Sequence, residues 1–369
     1  MTPRFPRPRR VVVKIGSSSL RAPDGGLDST LIDAIVEQVS ELVKSGVEVV
    51  LVSSGAVAAG LAPLGLATRP TELGELQAAA SVGQGVLMHA YQEAFRSRGL
   101  ACGQVLLTPE DVVDRGRYLN ARHTFDRLLA RSAVPVVNEN DTVATDELRF
   151  GDNDRLAALV ASMLGAGLLI LLSDVEGLLD GDPGASATLP VLGRVDDLAS
   201  LDERHYGRTG STLGSGGMAS KLEAVRIATF SAAHAVIANA RRPQVVIEST
   251  RGALVGTWFP PARRRPESRK LWIAFARVPR GRLHVDEGAV RALVQRGSSL
   301  LAAGVVKVEG EFTAGEAVDV TGPDGRVVAR GLSTYAHDDV RAVLGRSTAE
   351  LQPGRRRAVI HRDQLVVLG

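Results

Sequence analysis

The stretch Val-Val-Val-Lys-Ile-Gly-Ser-Ser at residues 11–18 is a β-branched run that ends in a turn of small residues. Three later runs have the same form: they lie at residues 47–52, 134–137 and 168–172 and end in Ser, Gly, Asn or Asp. Strands that are apolar throughout and alternate with helices are typical of a mostly parallel sheet covered on both faces. The sequence therefore predicts an α/β fold, a three-layer αβα sandwich with a mostly parallel central sheet.

Helical patterns fill the intervals between these runs. An apolar stripe at residues 30–44 is stopped by Gly46, and an Ala/Gly-rich pattern predicts a long helix at residues 76–98. On that helix we expect Tyr91 to be a packing residue rather than a ligand. Further elements are predicted as a strand at 104–107 and helices at 120–131, 154–164 and 218–232. Ligands of such folds gather at the carboxyl ends of the strands, where the polar turns lie.

The chain of 369 residues is longer than one compact core usually holds, so two domains are expected. The break falls at residues 260–266, Pro-Pro-Ala-Arg-Arg-Arg-Pro, which cannot continue a helix. We expect a first domain at residues 1–262, a linker at 263–272 and a second domain at 273–369. The second is predicted to be a small, mainly β, barrel-like domain. Its predicted elements are a helix at 287–296 and short strands at 283–285, 305–308, 317–320, 327–329, 358–361 and 365–368.

Composition excludes several classes of protein. Hydrophobic residues make up 44% and charged residues 23%, which is typical of a globular chain. The single cysteine, Cys102, excludes both an intramolecular disulfide and a four-cysteine zinc site. No apolar run reaches the roughly 18 residues of a membrane span, and the Pro/Arg-rich start is unlike a signal peptide. A cytoplasmic enzyme or binding protein, without membrane association, is therefore expected.

Charge is distributed unevenly along the chain. Residues 1–262 hold 25 Lys and Arg against 29 Asp and Glu, whereas residues 263–369 hold 19 against 12. The basic last third is consistent with a polyanion partner such as RNA, and equally with an ordinary solvated surface. Only five of the 44 Lys and Arg residues are Lys. A Lys inside a Gly/Ser loop therefore indicates a site that requires the compact charge of an ammonium group rather than the planar guanidinium of Arg.

Two such lysines lie in small-residue loops. Lys14 precedes Gly16 at the end of the first strand, where backbone N–H groups can approach an anion. Residues 210–221, Gly-Ser-Thr-Leu-Gly-Ser-Gly-Gly-Met-Ala-Ser-Lys, open a helix and end on Lys221. This is not a Walker A motif, because no Gly-Lys-Ser or Gly-Lys-Thr occurs in the chain. Both loops predict phosphate binding; the alternatives are an ordinary surface turn and a flexible linker.

Two clusters of amide and carboxylate residues lie at 138–141 and 152–154, on either side of a short connecting segment. They suit the recognition of an amino acid, whose ammonium needs oxygen acceptors and whose carboxylates need amide donors. The alternative is a solvated loop that caps the following helix. Ser54 lies in a third turn, which leads from a strand into a helix. The N–H groups at that helix N-terminus can bind a carboxylate or a phosphate; the alternative is that Ser54 serves only as the helix cap.

Taken in order, six motifs resemble those of the bacterial glutamate 5-kinases of the amino acid kinase family, over about residues 11–260. They are Val-Lys-Ile-Gly-Ser-Ser, Ser-Ser-Gly-Ala-Val-Ala-Ala-Gly, Asn-Glu-Asn-Asp-Thr-Val, Gly-Asp-Asn-Asp, Ser-Asp-Val-Glu-Gly-Leu and Gly-Ser-Gly-Gly-Met-Ala-Ser-Lys. The tail, with Val-Asp-Glu-Gly-Ala at 285–289 and Arg-Gly-Ser-Ser-Leu-Leu at 296–301, resembles the PUA domain attached to those enzymes. Ser173 and Ser215 stand where the family often has Thr, and both retain the hydroxyl.

The resemblance implies ATP-dependent phosphorylation of the γ-carboxylate of L-glutamate, which gives L-glutamyl 5-phosphate, the first step toward L-proline. A carboxylate with a pKa of about 4.3 is already ionised at neutral pH, so this nucleophile needs no general base. Catalysis then consists of positioning the reactants and stabilising charge on the transferring phosphoryl group.

The resemblance also implies roles for individual residues. Lys14 would act on the phosphoryl group in transit, Lys221 on the ATP phosphates, and Asp154 would orient both lysines. Ser54, Asp141 and Asn153 would bind glutamate. ATP, with Mg²⁺ on its phosphates and no direct protein ligand to the metal, would be held by Lys14, Gly16, Ser173, Asp174, Ser215, Gly216, Gly217, Met218, Ala219, Ser220 and Lys221.

Two other functions remain open on the sequence. A sister kinase acting on aspartate, N-acetylglutamate or carbamate would use the same phosphate machinery. An RNA-binding protein would use its PUA-like tail and carry a degenerate kinase domain. The resemblance further implies a homo-oligomer, either a dimer or a tetramer, and feedback inhibition by L-proline. For the tail we favour a regulatory or structural role within a kinase over RNA binding.

Overall fold

The computed structural model describes residues 4–22, 26–143, 153–181, 189–198, 201, 217–262, 279–347, 350 and 357–368. The chain divides into two compact units, Met1–Arg265 and Pro266–Gly369. The expected linker at residues 263–272 lies outside the described residues. No helix in the described part of the chain is both long and apolar enough to cross a membrane.

The first unit contains a seven-stranded sheet with the order β3-β4-β2-β1-β5-β6-β7. All its neighbouring strands pair in parallel except β6 and β7, which pair antiparallel. The six parallel strands therefore end at one edge of the sheet. The strands are β1 (Arg10–Ile15), β2 (Glu48–Val52), β3 (Cys102–Leu107), β4 (Val134–Glu139), β5 (Leu168–Ser173), β6 (His234–Asn239) and β7 (Thr257–Phe259).

In the described part of the first unit, eight helices accompany this sheet. They are α1 (Ser29–Lys44), α2 (Ala56–Leu61), α3 (Leu73–Arg96), α4 (Pro109–Val113), α5 (Arg115–Leu129), α6 (Asn153–Leu164), α7 (Met218–Phe230) and α8 (Val245–Thr250). On one face, α1, α3 and α8 form a core with alternate strand residues such as Val11 and Val13. On the other face, α5 lies against β4, α6 against β1 and β5, and α7 against β6. The predicted αβα sandwich is confirmed.

Burial on both faces explains why the central strands are continuously apolar. Val12 and Val13 point to opposite faces of β1, as successive strand residues do, and neither has any exposed surface. β5 is buried at all six positions. A parallel sheet with helices on both sides gives its central strands no solvent-facing side, so alternation of polar residues is absent.

Several helix boundaries differ from the predicted ones because acidic side chains cap the helices. The helix predicted at 120–131 begins at Arg115, since the Asp114 carboxylate accepts a hydrogen bond from the Arg117 N–H. The helix predicted at 76–98 begins at Leu73, and the Glu72 carboxylate accepts from the N–H groups of Gly74 and Glu75. Glu is not among the favoured capping residues, which is why this start escapes sequence patterns.

The second unit is built on a five-stranded mixed sheet with the order β12-β11-β10-β8-β9. β8 and β10 pair in parallel and the other neighbours pair antiparallel. Its elements are β8 (Gly281–Val285), α9 (Glu287–Arg296), β9 (Val305–Gly310), β10 (Ala317–Thr321), β11 (Val327–Leu332), α10 (His337–Val343) and β12 (Leu365–Val367). The strand predicted at 358–361 is wrong: this segment makes only the isolated bridge between Leu300 and Ile360, although Ile360 is buried in the core.

Candidate active site

The carboxyl edge of the seven-stranded sheet collects charged side chains from three separate elements. Lys14 is the penultimate residue of β1, Asp154 lies in the first turn of α6, and Lys221 lies in the first turn of α7. Lys14 alternates with Val13 and so lies on the face of the sheet that α6 covers. The topology therefore brings together two lysines and one carboxylate that are far apart in the chain.

Asp154 joins the two lysines. Its Oδ1 lies 2.6 Å from Nζ of Lys14, and its Oδ2 lies 3.3 Å from Nζ of Lys221. All three residues are buried, with exposed fractions of 4% for Lys14, 1% for Asp154 and 6% for Lys221. Burial by itself would raise the pKa of Asp154, but the two ammonium groups outweigh it and hold that pKa below its usual value. One carboxylate between two cations leaves an excess positive charge that attracts an anion.

Gly16 keeps the space beside the Lys14 ammonium open. A Cβ atom at this position would lie 3.8 Å from Nζ of Lys14 and 3.5 Å from the Leu172 carbonyl oxygen. The Gly16 N–H already donates to that carbonyl at 3.1 Å, which ties the turn to β5. The absence of a side chain at Gly16 therefore leaves space beside the Lys14 ammonium, while the Gly16 N–H is used in a hydrogen bond that holds the turn to β5.

The start of α7 faces the same group. Its N-cap is Gly217, which has no side chain to accept from the first-turn N–H groups, and Met218 and Ala219 follow it. The Ser220 hydroxyl lies 3.4 Å from Oδ2 of Asp154. A helix N-terminus whose N-cap residue has no capping side chain, next to a lysine, is a favourable place for phosphate. The candidate residues Ser215 and Gly216 lie outside the described residues.

Ser173 and Asp174 come at the end of β5, directly beside β1. The buried Ser173 hydroxyl donates to Oδ1 of the exposed Asp174 at 2.9 Å. β5 pairs with β1 up to the contact between Leu172 and Ile15. These two residues therefore adjoin the Lys14 turn, as the assignment to a common ATP site requires.

Ser54 lies in the turn between β2 and α2 and is 6% exposed. The alternative that Ser54 serves only as a helix cap is wrong, because the N-cap is Gly55, whose φ of +95° is in the left-handed region that favours glycine. The backbone thus leaves the Ser54 hydroxyl outside the capping interaction and at the carboxyl edge of the sheet.

Asp141 opens the short 3₁₀ turn Asp141–Val143 that follows β4. It is 9% exposed, and its Oδ1 has no hydrogen-bond partner within the described ranges. Burial raises its pKa to about 6, against the opposing effect of Arg69. A buried carboxylate oxygen without a partner is costly, and a bound ammonium group would stabilise it.

Asn153 is the first residue of α6 and adjoins Asp154. Its Oδ1 accepts a hydrogen bond from the Glu139 N–H at 3.2 Å, and that N–H also bonds to Oδ1 of Asn138 at 2.9 Å. The Asn138 amide in turn donates to Oε1 of Gln84 on α3 at 2.8 Å. Asn138 belongs to the predicted cluster at 138–141, although no role of its own was assigned to it, whereas Gln84 was not predicted as a site residue. The available signal was a polar pair, Asn138 and Glu139, inside a fully buried strand.

Two models of known protein families match this chain. The family model described as "Amino acid kinase family" matches residues 9–239, which is more than half of the chain. The chain belongs to the amino acid kinase family. A second model, "PUA domain", matches residues 281–354 of this kinase. The predicted family and its PUA tail are confirmed.

Curated relatives match this kinase over almost its whole length. A glutamate 5-kinase of Salinispora arenicola is 52% identical and covers 100% of both chains. A glutamate 5-kinase of Frankia casuarinae is 51% identical, covering 98% of this chain and 97% of that protein. One of Streptomyces avermitilis is 50% identical, with coverage of 98% and 96%. As a member of a kinase family, the chain uses ATP.

Proposed function

We propose that this kinase transfers the terminal phosphoryl group of ATP to the γ-carboxylate of L-glutamate and forms L-glutamyl 5-phosphate, the first step toward L-proline. The observation that carries the proposal is the bridge from Lys14 through Asp154 to Lys221, at the sheet edge that also holds Asp141. The relatives named glutamate 5-kinase, about half identical over nearly the full chain, support the choice of substrate.

The chemistry needs no proton transfer. A γ-carboxylate oxygen of glutamate attacks the terminal phosphorus, the bond to the bridging oxygen breaks, and ADP leaves with the electron pair. Because both reactants are anions, the protein must offset their repulsion. We assign Lys14 to the phosphoryl group in transit and Lys221 to the ATP phosphates and the departing oxygen of ADP. Asp154 is a positioning residue for both. Electrostatic contacts of this kind are typically worth about 10²–10³ in rate.

Glutamate recognition is assigned to three residues. The Asp141 carboxylate pairs with the α-ammonium, consistent with its unpartnered Oδ1. The Ser54 hydroxyl and the amide Nδ2 of Asn153 donate to carboxylate oxygens. Nδ2 is the relevant atom because Oδ1 of Asn153 accepts from the Glu139 N–H.

We assign ATP to the space between the Lys14–Gly16 turn, Ser173–Asp174 and the start of α7 from Gly217 to Lys221, and we keep Ser215 and Gly216 as ATP-binding residues on the resemblance alone. Mg²⁺ usually keeps several waters and binds substrate phosphates, so we propose that it would come with ATP rather than be held by protein side chains, and that it would supply charge neutralisation to the phosphates. The described residues include no group of three or more His, Cys, Asp or Glu side chains arranged to hold a metal.

The test is hydroxamate formation from glutamate, ATP and hydroxylamine, because an acyl phosphate reacts with hydroxylamine. Aspartate, N-acetylglutamate and carbamate are the control substrates, and their phosphorylation is measured by the release of ADP. The proposal expects glutamate to be the preferred acceptor by a wide margin. Preference for one of the other three would replace it with a sister kinase.

For the tail we propose a PUA domain at residues 273–369, joined by a linker at 263–272 to a kinase domain at 1–262. Its role is regulatory or structural within a homo-oligomer, dimer or tetramer, that L-proline inhibits. RNA binding is the second candidate, favoured by the PUA match and the basic composition of this part of the chain. Salt-dependent RNA binding by a chain that does not turn over ATP would favour that candidate.

A further inference from the structure

The longest helix of the kinase unit, α3, reaches the Ser54 turn through one buried tyrosine. Tyr91 has no exposed surface, and its hydroxyl lies 2.9 Å from Oγ of Ser53. Ser53 is also fully buried, and its Oγ donates to the Ser54 carbonyl oxygen at 3.2 Å. The Ser53 N–H is held separately by the Val137 carbonyl of β4 at 2.8 Å. A continuous set of contacts therefore runs from α3 to Ser54.

The direction of these hydrogen bonds follows from the donors available. Either oxygen of the Ser53–Tyr91 pair can donate, but a serine hydroxyl has one proton, and when Ser53 gives that proton to the Ser54 carbonyl, Tyr91 donates to Ser53. Burial raises the pKa of Tyr91 to about 12, which keeps the phenol protonated and able to donate. Hydrogen bonds in such a chain reinforce one another in a buried environment. The Tyr91 hydroxyl thus orients the Ser53 hydroxyl, which in turn donates to the Ser54 carbonyl.

Packing of the ring does not require this hydroxyl. Tyr91 belongs to the apolar core formed with α1 and the strands, where a phenylalanine ring would also fit. A buried hydroxyl is costly unless it is hydrogen-bonded, and this one bonds to the residue that precedes Ser54. The opposite side of the turn is fixed as well, since a Cβ atom on Gly83 of α3 would overlap the Ala56 carbonyl at the start of α2.

We propose that Tyr91 is a positioning residue for glutamate: acting through Ser53, it sets the orientation of Ser54 toward the substrate carboxylate. The inference rests on the proposed function, in which Ser54 binds that carboxylate. Tyr91 acts on affinity for glutamate and leaves the phosphate side, formed by Lys14, Asp154 and Lys221, unaffected.

The experiment compares Tyr91→Phe, Ser53→Ala and the double variant with the wild-type chain in the hydroxamate assay. Glutamate is varied at saturating ATP and ATP at saturating glutamate, and the melting temperature is measured for each protein. Tyr335→Phe is the matched control, because it removes another buried phenol that bonds to the Arg357 backbone, in the second unit.

Loss of a neutral hydrogen bond predicts that Tyr91→Phe raises the KM for glutamate about 3- to 10-fold. The KM for ATP and kcat should stay within about twofold of wild type, as should all constants of Tyr335→Phe. The double variant should be no worse for glutamate than Ser53→Ala, because both changes act through one contact. If Tyr91→Phe does not fold, Ser53→Ala provides the same readout at the other end of the bond.

Three results would overturn the inference. One is a lowered melting temperature with an unchanged KM for glutamate, which would make Tyr91 merely structural. The second is an equal rise in the KM values for glutamate and ATP. The third is additive effects in the double variant. Failure of the wild-type chain to form glutamyl hydroxamate would instead overturn the proposed function, and this inference with it.

Discussion

The two sides of the candidate site are held together by different forces. The phosphate side, Lys14, Asp154 and Lys221, is a buried ion-pair network in which two ammonium groups share one carboxylate. The glutamate side, Ser54, Asp141 and Asn153, consists of neutral hydrogen-bonding groups and one carboxylate, of which Oδ1 finds no partner among the residues that the structure describes.

This difference separates rate from affinity. On the phosphate side the excess positive charge exists before any ligand arrives, so it can stabilise charge that develops during transfer. On the glutamate side the unpartnered oxygen of Asp141 becomes stable only when an ammonium group binds. Changes on the first side should therefore lower kcat, and changes on the second should raise the KM for glutamate.

The largest expected effect is on the phosphate side. Lys14→Met and Lys221→Met should each lower kcat at least about a hundredfold, because each removes a cation from the transferring phosphoryl group. Either variant should stay folded, since Asp154 keeps one partner. Lys44→Met, which changes an exposed lysine at the end of α1, is the control and should keep its kcat. Near-normal turnover by Lys221→Met would remove that residue from the phosphate site.

On the glutamate side, Asp141→Ala should raise the KM for glutamate about 10- to 100-fold, the range expected for loss of a charged hydrogen bond. The KM for ATP should change by no more than about twofold. Steady-state kinetics with each substrate varied in turn measures both. Equal changes in the two constants would argue against a substrate role for Asp141.

Packing beneath the glutamate side can be tested with two glycines of one helix. A Cβ at Gly83 meets the Ala56 carbonyl, whereas a Cβ at Gly85 meets nothing within 4 Å. Gly83→Ala should therefore lower the free energy of unfolding by about 1–3 kcal/mol and raise the KM for glutamate. Gly85→Ala should raise the unfolding free energy by up to about 1 kcal/mol. Urea unfolding of both variants measures these free energies. Equal changes in the unfolding free energy of Gly83→Ala and Gly85→Ala would refute the close contact between Gly83 and Ala56.

The smallest expected effect is on pH dependence. With a pKa of about 6, Asp141 is ionised at neutral pH and becomes protonated as the pH falls, after which it cannot pair with an ammonium group. At saturating ATP the KM for glutamate should rise about fourfold from pH 7.5 to pH 5.5. Asp141→Asn has no titrating group at this position and should show a higher but flatter profile. If the KM for glutamate depended on pH equally in the wild type and in Asp141→Asn, the titrating group would be one other than Asp141.

The fold was predictable at the long apolar runs but not at every buried strand: β6, His-Ala-Val-Ile-Ala-Asn, is buried at its four central positions and was not predicted, because two of those four residues are alanines, which have a low strand propensity. β1, β2, β4 and β5 are apolar runs buried on both faces, and each was found close to its predicted position. β7 was missed because it has only three residues and pairs antiparallel at an edge. The short helix α8, Val-Val-Ile-Glu-Ser-Thr, was missed because its residues favour strands, and its packing against α1 overrides that preference.

The site was predictable in part. Residue chemistry alone marked Lys14, Lys221 and the amide and carboxylate clusters, and the family resemblance added the role of Asp154. Which side chains meet depends on strand order, which local patterns do not specify. The contacts of Gln84 and Tyr91 gave no signal, because a polar residue on a long helix looks the same in sequence whether or not it reaches the site.

If glutamate and ATP meet between Lys14 and Lys221, a crystal structure of the chain with L-glutamate and a non-hydrolysable ATP analogue will show both ligands there. We expect the terminal phosphate in contact with both Nζ atoms, Asp154 still between the lysines, and the glutamate ammonium on Asp141. Glutamate bound away from Asp141, or the two lysines facing separate clefts, would contradict this expectation.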